Sequence, residues 1–255
     1  MPESHRKFDI DEFVRECLEA WEGEGVDAVK DVLDRTLGRG CTPVRECFGD
    51  PHEAHLQVLY PGPELVIENM VWAPGMSYPA HNHNTPVLTG VYAGLEVNDF
   101  YHQIGTHSGD RLQKTGTVAI NEGEAVLMAH DAIHRIANPS RRVFTGAFHI
   151  YMGDYLHSSR SIWHPDEASE KPASFALTKD IFAAANRDLA AARAADTEQE
   201  LQRLRDADEP NTGPGSSSGP SGHPQGASHS AHHAPARGPA RRAVRPSLKS
   251  PGDQG

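Results

Sequence analysis

Histidine is the residue type that most clearly offers chemistry in this sequence. His81 and His83 are separated by one residue, and on a β-strand such a pair points to one face. Two imidazoles on one face can bind the same metal ion, and a third ligand must then come from another strand. His134, just before the segment RIAN, is the candidate. The spacing therefore predicts a metal site held by His81, His83 and His134.

The surrounding sequence predicts the elements that must position these side chains. Between about residues 64 and 151, short segments rich in Val, Ile, Thr and Tyr alternate with Gly, Pro and Asn turns. Such a series of short strands indicates an antiparallel sandwich or barrel. Apolar residues at helical spacing before residue 45 predict two short helices. The Ala-rich stretch after Pro172 predicts one or two further helices, packed on the barrel's exterior or on a partner.

These patterns divide the chain into four segments. We expect an N-terminal helical segment at 1–45, a barrel with the metal site at 46–165, C-terminal helices at 166–209 and a disordered tail at 210–255. The tail is rich in Gly, Pro, Ser and His and has few large aliphatic side chains. It cannot bury enough apolar surface to offset its ordering entropy. Its histidines could capture a metal ion loosely, but its composition favours a solvated low-complexity segment.

Composition excludes several classes of function. The 255 residues include 24 Lys and Arg against 35 Asp and Glu, a formal net charge of −11 at pH 7. Such acidity disfavours binding to nucleic acid. No run approaches the roughly 18 apolar residues that span a bilayer, and the first residues lack a signal-peptide pattern. Three scattered cysteines fit a reducing compartment. We therefore expect a cytoplasmic protein without nucleic-acid or membrane partners.

The histidine spacing resembles the two sequence motifs of the cupin family. The residues that match are Gly75, His81, His83 and Gly94 for the first motif and Gly123, His134 and Asn138 for the second. Val87 or Leu88 stands where the family has a glutamate ligand, and Ala129 and Asp131 replace a Pro and a Gly. The resemblance implies a mainly β fold, a double-stranded β-helix (cupin) barrel with flanking N- and C-terminal helices.

The missing glutamate bears on the chemistry of the site. Three neutral imidazoles leave the metal its full positive charge and up to three open coordination positions. That charge favours an anionic ligand such as a thiolate. The absence of a carboxylate ligand counts against 2-oxoglutarate-dependent oxygenases, whereas cupins with three histidines and open positions resemble thiol dioxygenases.

The segment Ala147–Tyr151 is similar to the Ser-x-His-x-Tyr segment of the cysteine dioxygenase family, and the likeness covers about residues 60–155. In that family the tyrosine hydroxyl points at the iron site and the histidine orients it. The resemblance implies catalytic roles for Tyr151 and His149 and Fe(2+) as the cofactor. Ala147 replaces the serine, which would weaken a relay beyond His149. A tyrosine that caps a buried imidazole in the barrel is the structural alternative.

The resulting hypothesis is a non-haem iron thiol dioxygenase that oxidises a small thiol, cysteine or a related one, with O2 to its sulfinate. Zinc, nickel or manganese would fit three imidazoles nearly as well. A metal-dependent cupin enzyme of another type (isomerase, hydrolase or other oxygenase) remains open, with Tyr151, His149 or Glu68 as its base. A non-catalytic small-molecule-binding cupin is the third possibility.

Charged side chains near the expected site raise a further question. Cysteine dioxygenases bind the substrate carboxylate with an arginine before the first histidine, but no Arg or Lys occurs between Arg45 and Arg111. The alternatives for this role are Arg111, Arg135, Arg141 and Arg160. The acidic residues of the strand region indicate a solvated sheet face rather than an acid/base pair. These residues are Glu64, Glu68, Glu96 and Asp99.

Overall fold

The computed structural model describes residues 7–105, 111–163 and 170–208. The expected disordered tail at 210–255 lies outside the described residues. The described part contains eleven strands and four helices. The strands are β1 His55–Pro61, β2 Leu65–Trp72, β3 Ser77–Asn82, β4 Val87–Ala93, β5 Leu95–Ile104, β6 Arg111–Asn121, β7 Ala125–Met128, β8 Ile133–Ala137, β9 Thr145–Met152, β10 Ser161–Trp163 and β11 Glu170–Pro172. The helices are α1 Ile10–Glu24, α2 Val26–Gly38, α3 Thr42–Phe48 and α4 Phe175–Asp208.

The strands form two antiparallel sheets. The five-stranded sheet has the order β1-β2-β9-β4-β7, and the six-stranded sheet has the order β11-β10-β3-β8-β5-β6. Their central parts, β2-β9-β4-β7 and β3-β8-β5-β6, are linked by a chain that passes repeatedly from one sheet to the other. This strand order is that of a double-stranded β-helix, or jelly roll. The predicted fold class, mainly β with flanking helices, is confirmed.

The N-terminal helices cover the outer face of the five-stranded sheet. Asp9 caps α1 by accepting a hydrogen bond from the backbone N–H of Glu12 at 3.0 Å. The apolar faces of α1 and α2, with Phe13 and Leu33, pack on Ile67 and other outward-facing strand residues. All eight residues of β2 are consequently buried. One face of β2 meets the helices and the other faces the barrel interior.

The N-terminal helices differ from the sequence-based expectation in one respect. A third N-terminal helix, α3, crosses the expected boundary at residue 45, and its seven residues are too few for a periodic pattern. The C-terminal region, expected to form one or two helices, is one continuous helix of 34 residues. Its first half packs Phe182 against Trp72 and Tyr78 of the barrel. None of the described helices is both long and apolar enough to span a membrane.

Candidate metal centre

The three histidines expected to bind a metal lie together inside the barrel. His81 on β3 faces His134 on β8 as its partner across the antiparallel pair, next to a shift in strand register. His83 lies one residue beyond the end of β3. All three side chains are buried, and their candidate ligand nitrogens lie within 4.8 Å of one another. The structure therefore brings together all three residues that the sequence spacing singled out.

Hydrogen bonds set the orientation of two of these rings. Nδ1 of His81 lies 2.9 Å from the carbonyl oxygen of Pro79, which can only accept, so Nδ1 carries the proton. Nδ1 of His134 lies 2.7 Å from Oδ1 of Asn98. The amide nitrogen of Asn98 donates to Glu96 at 3.0 Å, which turns the amide oxygen towards His134. Each ring is thus fixed in the form whose Nε2 atom offers a lone pair.

The arrangement of nitrogen atoms fits a bound metal ion. Nε2 of His134 is buried and has no hydrogen-bond partner among the described residues, a costly state for a polar atom. Nε2 of His81 and Nε2 of His83 lie only 3.0 Å apart. A divalent ion between the three rings would satisfy all three nitrogens. Imidazole suits iron, zinc, nickel and copper, so the donor set indicates a transition metal without selecting one.

Burial also keeps these imidazoles in the form that binds metals. Desolvation lowers the pKa of His81 to about 4. It lowers the pKa values of His83 and His134 well below their ordinary range, and the neighbouring histidine side chains lower them further. The rings are therefore neutral at physiological pH, as metal ligation requires. Within the described residues, no carboxylate joins this group of ligand atoms.

A buried glutamate organises the side chains around the three histidines. Glu96 is fully buried on β5 and accepts hydrogen bonds from Trp72 Nε1 at 2.8 Å, His149 Nε2 at 3.1 Å and the amide of Asn98. Burial alone would raise the pKa of Glu96, but the charge of His149 and these three hydrogen bonds together hold that pKa below its ordinary value. Glu96 is therefore an ionised, fully hydrogen-bonded carboxylate within the barrel.

The interpretation of the acidic residues as a solvated sheet face is wrong for two of the four. Glu96 is fully buried, and Glu68 on β2 is only 5% exposed. Glu64 is exposed and Asp99 is partly buried. The reason is that side chains alternate along each strand, and both buried glutamates lie on positions that face the barrel interior. Glu96 was missed by the sequence reasoning, although Glu96 and Asn98 share the i, i+2 spacing that singled out the histidines.

His149 and Tyr151, the two residues expected to be catalytic, are both buried on β9 beside the three histidines. Nε2 of His149 donates to Glu96 at 3.1 Å, and Nδ1 of the same ring lies 3.5 Å from the Tyr151 hydroxyl oxygen. The Tyr151 ring lies 5.1 Å from that of His83, centroid to centroid. Burial, followed by the nearby Tyr155 and Glu68, raises the pKa of Tyr151 well above its ordinary value. Tyr151 is therefore a phenol that can donate a hydrogen bond.

A cavity of about 320 Å³ adjoins these residues. Its lining includes His81, His83 and Tyr151 from the site and apolar side chains such as Met70 and Phe175. The cavity has room for a small molecule next to the histidines.

One of the four candidate arginines lines this cavity. The guanidinium carbon of Arg160 lies 4.1 Å from the centre of the Tyr155 ring. Its Nε atom is buried, with no hydrogen-bond partner in the part of the chain that the structure describes. Arg135 instead contacts Ser77 and Asp99, the latter at 3.6 Å. Arg111 and Arg141 are exposed and do not line the cavity.

Comparisons with known proteins add the following. No protein-family model matches the chain, and no curated protein matches it. An RmlC-like cupin family protein from Methanocaldococcus jannaschii is 15% identical, covers 42% of this chain and 86% of its own, and gives a TM-score of 0.35. A cupin superfamily protein from Desulfitobacterium hafniense gives 16% identity, 42% and 83% coverage and a TM-score of 0.32. DMSP lyase DddQ from Ruegeria pomeroyi is 15% identical, covers 45% of this chain and 53% of its own, and gives a TM-score of 0.33. At these scores, the fold assignment rests on the strand order of this chain itself.

Proposed function

We propose that this chain is a non-haem iron thiol dioxygenase whose substrate is a small thiol that carries a carboxylate. The observation that carries the proposal is a set of three neutral imidazoles, without a carboxylate ligand, next to a cavity that also contains a guanidinium group. Such a donor set leaves open positions and a full positive charge for an anionic sulfur ligand. In the proposed reaction, R–S⁻ and O2 give R–SO2⁻, so that both oxygen atoms are added to sulfur.

His81, His83 and His134 would hold iron(II), which supplies the redox chemistry that lets dioxygen react with a thiolate. The protein itself supplies orientation and electrostatics. Glu96 fixes His149 through its Nε2 hydrogen, and His149 orients the Tyr151 hydroxyl. Tyr151 would donate a hydrogen bond to the reacting groups within a cavity from which the bound substrate excludes water.

Arg160 is the residue that we propose binds the substrate carboxylate. Its guanidinium group lies over the Tyr155 ring, and its buried Nε lacks a hydrogen-bond partner among the described residues. A carboxylate can accept two parallel hydrogen bonds from such a planar group. The role is supplied from the segment that follows β9 rather than from a strand before the first histidine.

The test is oxygen consumption by protein loaded anaerobically with iron(II). Cysteine, 3-mercaptopropionate and cysteamine are supplied under labelled dioxygen, and a substrate is expected to gain two labelled oxygen atoms. Zinc-, nickel- and manganese-loaded samples test the choice of metal. If no thiol drives oxygen uptake, the dioxygenase proposal is wrong. The site would then serve an isomerase, a hydrolase, another oxygenase or a binding protein.

A pair of variants tests the role of Arg160. Arg160→Gln should raise KM about 10–100-fold for thiols that carry a carboxylate, because it removes a charged hydrogen-bond donor. It should have little effect on cysteamine, which has no carboxylate. Arg135→Gln, at an arginine outside the cavity, is the matched control. Equal losses for all three thiols would contradict the assignment.

A further inference from the structure

Glu68 is the one buried carboxylate of the described cavity lining whose role the proposed reaction leaves unexplained. It lies on the inner face of β2, is 5% exposed and lines the cavity. Its Oε2 atom is buried and has no hydrogen-bond partner within residues 7–105, 111–163 and 170–208. Glu96, buried in the same barrel, has three donors. The contrast shows that Glu68 is not held in place by a completed internal network.

Two charged side chains lie near Glu68 but form no ion pair with it. Arg160 and His149 both act electrostatically on its carboxylate, yet neither forms an ion pair with it within 4 Å in the described structure. Glu68 also contributes no ligand atom to the group formed by the three histidines. Among the described residues, the Tyr151 hydroxyl is the one hydrogen-bond donor that acts on this carboxylate, and it leaves Oε2 unpaired. A buried carboxylate oxygen without a partner is unfavourable, and a cationic group placed in the cavity would remove that cost.

We propose that Glu68 binds a protonated amine of the substrate. This inference rests on the proposed function and names its substrate class: an amino acid thiol, with its carboxylate on Arg160 and its ammonium group on Glu68. The cavity offers one negative and one positive side chain, which match the two charges of such a zwitterion. Glu68 and Arg160 both line the cavity and form no ion pair within 4 Å in the described structure, so one ligand can contact both.

The ionisation of Glu68 is consistent with this role. Burial raises the pKa of Glu68 to about 7, and the charges of His149 and Arg160 only partly offset that effect. An ammonium group bound beside it would favour the ionised carboxylate, so a proton would be released from a fraction of molecules when the ligand binds.

The experiment compares ligands that differ only by the amine. L-Cysteine and 3-mercaptopropionate form one pair, and L-serine and 3-hydroxypropionate form a second pair without the thiol. Binding to the full-length, iron(II)-loaded protein is measured by calorimetry under anaerobic conditions. The variants are Glu68→Gln, which keeps the size of the side chain, and Glu64→Gln, a control at the exposed glutamate just before β2.

Wild-type protein should bind L-cysteine at least about tenfold more tightly than 3-mercaptopropionate, and Glu68→Gln should remove that preference. In Glu68→Gln the affinity for 3-mercaptopropionate should change less than about twofold. Glu64→Gln should change the affinity for neither ligand. Equal losses for both thiols would instead indicate that Glu68 acts on the thiol itself, for example as its base, and would overturn the amine site. No preference for the amine in wild-type protein would overturn it as well.

The second ligand pair separates this inference from the proposed function. Suppose that no thiol is oxidised but Glu68→Gln still weakens binding of L-serine relative to 3-hydroxypropionate. The proposed thiol oxidation is then wrong and the amine site stands. If thiols are oxidised but the variant shows no selective effect on amine-bearing ligands, the reaction stands and the amine site is wrong. Thermal denaturation of each variant establishes that the protein used is folded.

Discussion

Replacing Glu68 with glutamine should stabilise the ligand-free protein at alkaline pH while it weakens ligand binding. Burial raises the pKa of this carboxyl group from 4.5 to about 7 on folding. A raised pKa means that the folded state holds the proton more tightly than the unfolded state does. The stabilisation is therefore complete below about pH 4.5 and is lost as the pH rises through 7. Between pH 5 and pH 8.5 the loss amounts to about 2.5 kcal/mol of unfolding free energy.

Unfolding of metal-free wild-type protein, Glu68→Gln and Glu64→Gln at pH 5 and pH 8.5 measures this difference. The other groups that act on Glu68, namely His149, Arg160 and Tyr151, are present in every sample. From pH 5 to pH 8.5, wild type and Glu64→Gln should lose about 2.5 kcal/mol more unfolding free energy than Glu68→Gln. This difference corresponds to about 5–10 °C in Tm for a domain of this size. Parallel pH profiles for wild type and Glu68→Gln, within about 0.5 kcal/mol, would refute the reasoning.

Three predictions concern the other site residues. His134→Ala should lose bound metal after chelator washing while the fold survives, and retention of wild-type iron by metal analysis would show that the ligand set is wrong. Asn98→Ala removes the acceptor that orients His134 and should weaken metal binding about 10–100-fold in a competition titration. Unchanged metal affinity would show that this hydrogen bond is not needed for His134 to bind the metal. Tyr151→Phe should lower turnover about 10–100-fold with metal content unchanged, and a parallel loss of metal would assign Tyr151 a structural role.

Strand periodicity paired His81 with His83, and the resemblance to the cupin motifs supported His134 as the third ligand. His81 and His83 share a face because their spacing matches the strand repeat, and that relation holds although β3 ends at Asn82. The fold class followed from the density of short strands and from the resemblance of two motifs. These signals are local, since each depends on residues within a few positions of one another.

The charged residues of the site could not be predicted in the same way. Whether a glutamate on a strand faces water or the barrel interior depends on what covers each sheet face. In this protein α1 and α2 cover the outer face of β2 and the barrel encloses its inner face, so all of β2 is buried and Glu68 faces the cavity. Glu96 is joined to His149 across 53 positions of sequence. Arg160 reaches the cavity from the segment before β10, and no pattern in the sequence distinguished it from three other arginines.

The hydrogen-bond state of the buried charges separates structural from functional side chains. Glu96 is satisfied by three donors and needs no ligand. Six buried side-chain atoms of the described residues have no hydrogen-bond partner, and three of them are His134 Nε2, Arg160 Nε and Glu68 Oε2. Native proteins rarely leave such atoms unpaired, and exceptions concentrate where a ligand completes them. A metal ion, a carboxylate and an ammonium group would complete these three atoms in turn. These buried atoms are unfavourable without partners, and their charge and position therefore specify what the site should bind.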